Sequence, residues 1–115
     1  IAKMYDNIFE DCWFIKPQKV LDGHTNTYWT YTVTYEGKDW FKFYDTVKQA
    51  GGDGFYGGLS IPYQEPVMSK YDYIKGECPN AEKIQPKMIQ FKCNYRDLNE
   101  AEQKINIVKK SLSYR

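Results

Sequence analysis

Histidine is almost absent from this chain: His24 is the only one in 115 residues. A lone imidazole in a polar turn cannot complete a zinc ligand set, and it leaves Ser60 and Cys78 without a histidine base. Cysteine is sparse too. Cys12, Cys78 and Cys93 are odd in number and lack the CxxC spacing of a metal or redox site. A reducing cytoplasm is therefore the expected compartment, and a Cys78–Cys93 disulfide in a secreted domain is the alternative. Neither sign of charge is in excess. Sixteen basic and fifteen acidic residues leave a net charge of +1, which makes no electrostatic case for nucleic acid or an anionic membrane surface. No apolar run approaches the ~18 to 20 residues of a spanning helix, and no signal-peptide pattern opens the chain. The GxxxxGK[ST] phosphate loop is missing as well. Gly52-x-Gly54 followed by Gly57-Gly58 lacks the flanking strand and helix of a dinucleotide fingerprint.

What the chain has is aromatic residues, 17% of the total with eleven tyrosines. Without a basic groove to accompany them, these suit buried amphipathic packing better than base stacking. The length bounds a single domain, residues 1–115, short for an enzyme that must hold both cofactor and substrate. Ile1, Tyr5, Ile8 and Cys12 recur at helical spacing and predict a helix from Ile1 to Trp13, broken by Lys16-Pro17-Gln18-Lys19. That helix begins at Ile1 rather than at a methionine, so an upstream part is expected. Strict alternation predicts a strand over Thr27–Tyr35, with Trp29, Tyr31, Val33 and Tyr35 on a core-facing side. Trp40, Phe43, Tyr44 and Val47 then fall at helical spacing between Asp39, a good N-cap, and Gly51, a good residue just past a C-terminus. Val67–Lys75 is weakly periodic, and a short helix is expected from Ala81 to near Pro86. Met88–Tyr95 alternates, with Ile89, Phe91, Cys93 and Tyr95 on one face. A final helix carries Ala101, Ile105, Val108 and Leu112 along one stripe, with Asn99 and Glu102 as its capping box and Lys109, Lys110 and Arg115 near its end. These elements predict an α+β domain, a small mixed or antiparallel sheet with helices packed on one face.

Between the Trp40 helix and the Met88 strand runs Gly51 to Pro66, with five of the eight glycines and two of the five prolines. Glycines at this density allow close backbone approach and prolines stiffen the exit, which suits a working loop containing a short strand at Gly54–Gly57. A tight connection with buried aromatics is the alternative. The residues alone offer no catalytic constellation, and Asp53 with Glu65 makes no persuasive acid–base pair. They describe a domain that contributes to a site.

Six motifs occur in order: Ile1-Ala2-Lys3-Met4-Tyr5, Thr27-Tyr28-Trp29-Thr30-Tyr31-Thr32-Val33, the Asp39–Ala50 helix ending in Gly51-Gly52, Ile61-Pro62-Tyr63-Gln64-Glu65-Pro66, Cys78-Pro79-Asn80-Ala81-Glu82 and Leu98-Asn99-Glu100-Ala101-Glu102. Together they make the whole chain resemble the C-terminal small domain of the DegT/DnrJ/EryC1/StrS aminotransferases. The resemblance implies a fold type I, cytoplasmic, homodimeric enzyme that uses pyridoxal phosphate (PLP) to aminate a keto-sugar, commonly nucleotide-linked, with an amino donor. It implies further that a large N-terminal domain supplies the Schiff-base lysine, the acid facing the pyridinium nitrogen and the phosphate contacts. This chain would then hold no catalytic, cofactor or metal residue, would be inactive alone, and would close over the cofactor cleft. On that pattern Tyr63 stands where many relatives carry histidine before the closing proline, here Pro66, and Tyr56, Tyr63 and Gln64 are the expected substrate-side residues. A stand-alone binding or interaction module of the same fold is the alternative.

Overall fold

A computed structural model describes residues 1–57, 60–72 and 76–113. Helix α1 (Ala2–Phe9) buries Tyr5 and Phe9, one turn apart on one face. It stops before the expected Trp13. The Cys12 amide closes a turn onto the Phe9 carbonyl (2.9 Å), and the chain then enters a short strand, β1 (Ile15–Pro17). This strand lies where the sequence predicted only a break. Pro17 is tolerated because residues 15 and 17 turn their backbone groups away from the neighbouring strand, while the Phe14 carbonyl and Gln18 amide face it and bond to Glu36 and Thr32. The outward edge is thereby blunted: Pro17 has no N–H, and the Ile15 N–H is spent on the Cys12 carbonyl.

Strand β2 (Thr30–Tyr35) is shorter than expected. Tyr28 adopts φ 52°, an uncommon conformation for a bulky residue, with its amide bonded to the Asn26 side chain at 2.9 Å. The alternation therefore does not extend back to Trp29, which is 80% exposed and not a core residue. Helix α2 (Trp40–Gln49) runs between the expected signals: the Asp39 carboxylate accepts from the Lys42 amide, and Gly51 takes φ 86°. Strand β3 (Tyr56–Gly57) follows, then two 3-10 turns, Pro62–Gln64 and Pro66–Lys70, each opened by its proline. The expected periodicity of residues 67–75 falls partly on residues 73–75, and the glycine-rich stretch includes Gly58 and Leu59; all of these lie outside the described residues, as does Arg115.

Helix α3 (Pro79–Ile84) starts two residues before the expected Ala81, with Pro79 at its first position, where a missing N–H costs nothing. Strand β4 (Met88–Lys92) ends short of Tyr95. Helix α4 (Leu98–Ser111) is capped by Asp97 and not by Asn99: Asp97 accepts from the Glu100 amide at 2.8 Å, and Glu100 reaches back to the Arg96 amide at 2.8 Å. Asp97-x-x-Glu100 and Asn99-x-x-Glu102 carry the same signature, and starting at Leu98 places fully buried Ala101 within the helix's first turn.

All strand pairs are antiparallel, in the order β1-β2-β4-β3. Opposed residues share a face, so Ile15, Tyr31, Val33, Ile89 and Phe91 form one buried layer. Tyr5 and Phe9 of α1 pack on Tyr31 and Phe91, while Phe43 of α2 meets Tyr35 and Phe55. Ala101, Ile105 and Val108 of α4 complete this core. The opposite face is polar. Thr30, Thr32 and Thr34 line it, and the Thr30 hydroxyl donates to the Gln90 side-chain oxygen (3.1 Å). The fold is thus α+β with a four-stranded antiparallel sheet. No helix among the described residues is long and apolar enough to cross a membrane.

Candidate functional site

The glycine-rich connection is held at two places by different chemistry. At its start, Gly52 lies so close to α2 that an added Cβ would sit 2.7 Å from the Val47 side chain. Asp53 then meets Lys104 of α4 at 3.3 Å and Lys92, at the end of β4, at 4.0 Å, while Lys104 also donates to the Gly51 carbonyl at 3.1 Å. One Asp53 oxygen is buried without a hydrogen-bond partner. Lys92 lies over the Tyr95 ring, and the Tyr95 hydroxyl is 3.4 Å from that of Tyr5, which donates to the Lys92 carbonyl. Burial, with Asp53 nearby, pushes Tyr95 up to about 12. Sequence reasoning weighed Asp53 only against Glu65 and missed its lysine partners, which lie far along the chain and meet it only when β4 and α4 are both in place. Phe55, just beyond, is buried against Phe43, Phe91 and Tyr44. The first half of the connection is therefore packed and paired.

At the far end, buried Ile61 anchors the turn that carries Tyr63 and Gln64. The Tyr63 hydroxyl donates to Glu82 of α3 at 2.6 Å and accepts from the Cys78 amide at 3.3 Å. Glu82 also takes the Gly76 amide at 2.6 Å. This carboxylate contact, followed by desolvation, pushes Tyr63 up to about 12. Its proton stays in place near neutrality, so Tyr63 can orient and clamp but cannot carry a proton as a histidine could.

Of the three expected substrate-side residues, Tyr63 and Gln64 share this turn, Gln64 exposed and Tyr63 half-buried and bonded to α3. Tyr56 stands apart from them on β3, opposite Gln90 and 65% exposed. No disulfide joins any of Cys12, Cys78 and Cys93, so the Cys78–Cys93 alternative is not present. His24 is exposed, with Nδ1 3.0 Å from the Asp22 carbonyl.

A further cavity lies elsewhere. It is a groove of about 720 Å³ between the end of α1 and β1, lined by Asp6, Glu10, Asp11, Trp13 and Lys16 among others. Three carboxylates beside one lysine repel a phosphate, so the groove does not fit pyridoxal phosphate. Lys92 and Lys104, the lysines drawn together elsewhere, face a carboxylate rather than an open cavity. Neither place, among the described residues, fits the cofactor. Among the described residues no group of His, Cys, Asp and Glu could hold a metal ion. No known family model matches the chain, nor does any curated protein.

Proposed function

We propose that this chain is the C-terminal small domain of a pyridoxal-phosphate-dependent aminotransferase that acts on a keto-sugar, nucleotide-linked, together with an amino donor. In that enzyme, a cytoplasmic homodimer, a larger domain supplies the Schiff-base lysine and holds the cofactor. The small domain covers the cleft and offers Tyr56, Tyr63 and Gln64 toward the sugar. One observation supports this reading above the others: the Tyr63–Glu82 hydrogen bond joins two of the six motifs that carry the resemblance, Ile61–Pro66 and Cys78–Glu82. Motifs that fasten to one another in space form a built feature and not a set of separate turns. Tyr63, locked by Glu82, would then set the shape of the sugar side while exposed Gln64 beside it makes contact.

The test has two arms. The complete gene product, given a keto-sugar nucleotide and glutamate, should form the amino sugar, and Gln64→Ala should raise KM for the sugar more than it lowers kcat. The 115-residue chain incubated with pyridoxal phosphate and borohydride should yield no adduct at a single defined lysine. One defined adduct would overturn the assignment.

A second reading is a stand-alone interaction module, favoured by the exposure of Trp29 at 80% and Phe41 at 75%. The intact mass of the natural gene product separates the two. A mass near that of this chain supports the module, and a further ~250 residues, the size of a large cofactor-binding domain, supports the enzyme.

A further inference from the structure

The α1–β1 groove takes no part in the function proposed above, and its chemistry is one-sided. Helix α1 ends with no basic residue in its last turn. Glu10 and Asp11 stand there instead, beside the negative end of the helix dipole, where cations are ordinarily favoured. Asp6, one turn earlier, is held in place by the Tyr31 hydroxyl.

The other wall is β1, and its outward edge offers acceptors only. Ile15 and Pro17 both line the groove and turn their backbone groups away from β2, Pro17 has no N–H, and that of Ile15 is bonded to Cys12. An ordinary added β-strand, which needs donors and acceptors in alternation, is therefore poorly served. Trp13, 63% exposed, adds an indole held edge-on by Phe14 at 5.6 Å between ring centres. Carboxylates, outward carbonyls and an aromatic face are the complement of a guanidinium, which is planar, rich in donors and attracted to indole. Lys16 is the one cation in the lining.

We propose that this groove is a docking site for an extended, arginine-bearing peptide segment of a partner protein, with the guanidinium held between the Glu10/Asp11 end of α1 and the Trp13 ring.

The experiment uses the unaltered chain and a fluorescein-labelled hexapeptide of alternating glycine and arginine, read by anisotropy, with a citrulline peptide as the uncharged isostere. Binding of the arginine peptide that weakens with salt, and its loss with citrulline, are the expected results. Glu10→Gln with Asp11→Asn should weaken binding by about tenfold, as for two solvent-facing charge contacts. Trp13→Ala should weaken it by about fivefold, as for one cation–aromatic contact. All three side chains are exposed or half-exposed, and unchanged thermal unfolding of the variants confirms that the fold is intact. Asp6 is left unaltered because it takes the Tyr31 hydroxyl. Equal binding of the citrulline peptide overturns the recognition chemistry, unchanged binding by the variants overturns the location, and no binding of the arginine peptide overturns both.

Discussion

The aromatic core around Phe91 and the connection from Pro62 to Lys87 are ordered by different forces. In the core, Phe91 meets Tyr5, Phe9 and Phe55 with ring centres 5.3 Å apart in each case. Such packing is non-directional and tolerates many local arrangements. In the connection, none of the described residues is buried. It is held by prolines that preset its turns and by directed contacts: Tyr63 to Glu82, Gly76 to Glu82, and Lys87 to Glu36 at 2.8 Å. The core therefore sets global stability, while the connection can open locally without the rest.

The largest expected difference lies between two truncations. Phe91→Ala should cost about 3–5 kcal/mol, enough to unfold a domain of this size near body temperature. Val67→Ala, at a residue 70% exposed, should stay within about 0.5 kcal/mol. Urea unfolding of both variants measures the contrast, and similar losses would break it.

Alkali should act next, and mainly on the core. Burial, followed by hydrogen bonds to Tyr95 and Asp6 respectively, pushes Tyr5 and Tyr31 well above the ordinary tyrosine range, while Tyr95 rises to about 12. Unfolded tyrosines ionise near pH ~10. Above that pH the unfolded chain releases protons that the folded chain keeps, so stability is full below about pH 10 and falls as pH rises toward 12. Urea midpoints at pH 9 and pH 11, with tyrosinate absorbance appearing together with unfolding, check the sign.

Asp53→Asn tests the contact that holds the chain between α2 and β3 against β4 and α4. It removes the partner of Lys104 and Lys92 and should cost about 1–2 kcal/mol, less than the core truncation, by thermal melting. The smallest effect is expected from Tyr63→Phe. It should leave the melting temperature almost unchanged and speed hydrogen exchange at the Cys78 amide, with the amides of β4 unaffected. A fall in global stability equal to that of Asp53→Asn would show that the connection belongs to the core's cooperative unit.

Much of the core was legible in the chain. The i, i+3, i+4, i+7 spacing from Trp40 to Val47 and the stripe from Ala101 to Val108 survive folding because each helix needs one apolar face, wherever its partner lies. Alternation over Tyr31 and Val33, and over Ile89 and Phe91, holds for the same reason. Misreadings cluster where one residue type serves two ends. Pro17 reads as a breaker yet sits comfortably on an edge strand, Trp29 continues an alternation that the Tyr28 turn interrupts, and Asn99 imitates the cap that Asp97 provides.

The candidate site was less legible. Tyr63 was singled out as a loop tyrosine, but the sequence does not show Glu82 beneath its hydroxyl. The glycines around Asp53 point to a shaped loop with close backbone approach, but not to Lys92, Lys104 and Phe55 as the groups that hold that segment in place.

By itself the sequence determined which stretches are amphipathic, which glycine must turn left-handed at the end of α2, and that the chain carries no self-sufficient histidine, cysteine or phosphate-loop chemistry. Those are properties of local spacing and composition. Tertiary structure alone decided strand order, the pairing of Asp53 with lysines distant in sequence, the lock on Tyr63, and the acceptor-lined groove between α1 and β1. Each depends on side chains far apart along the chain, and no local pattern encodes which of them will meet once the helices dock on one face of the sheet.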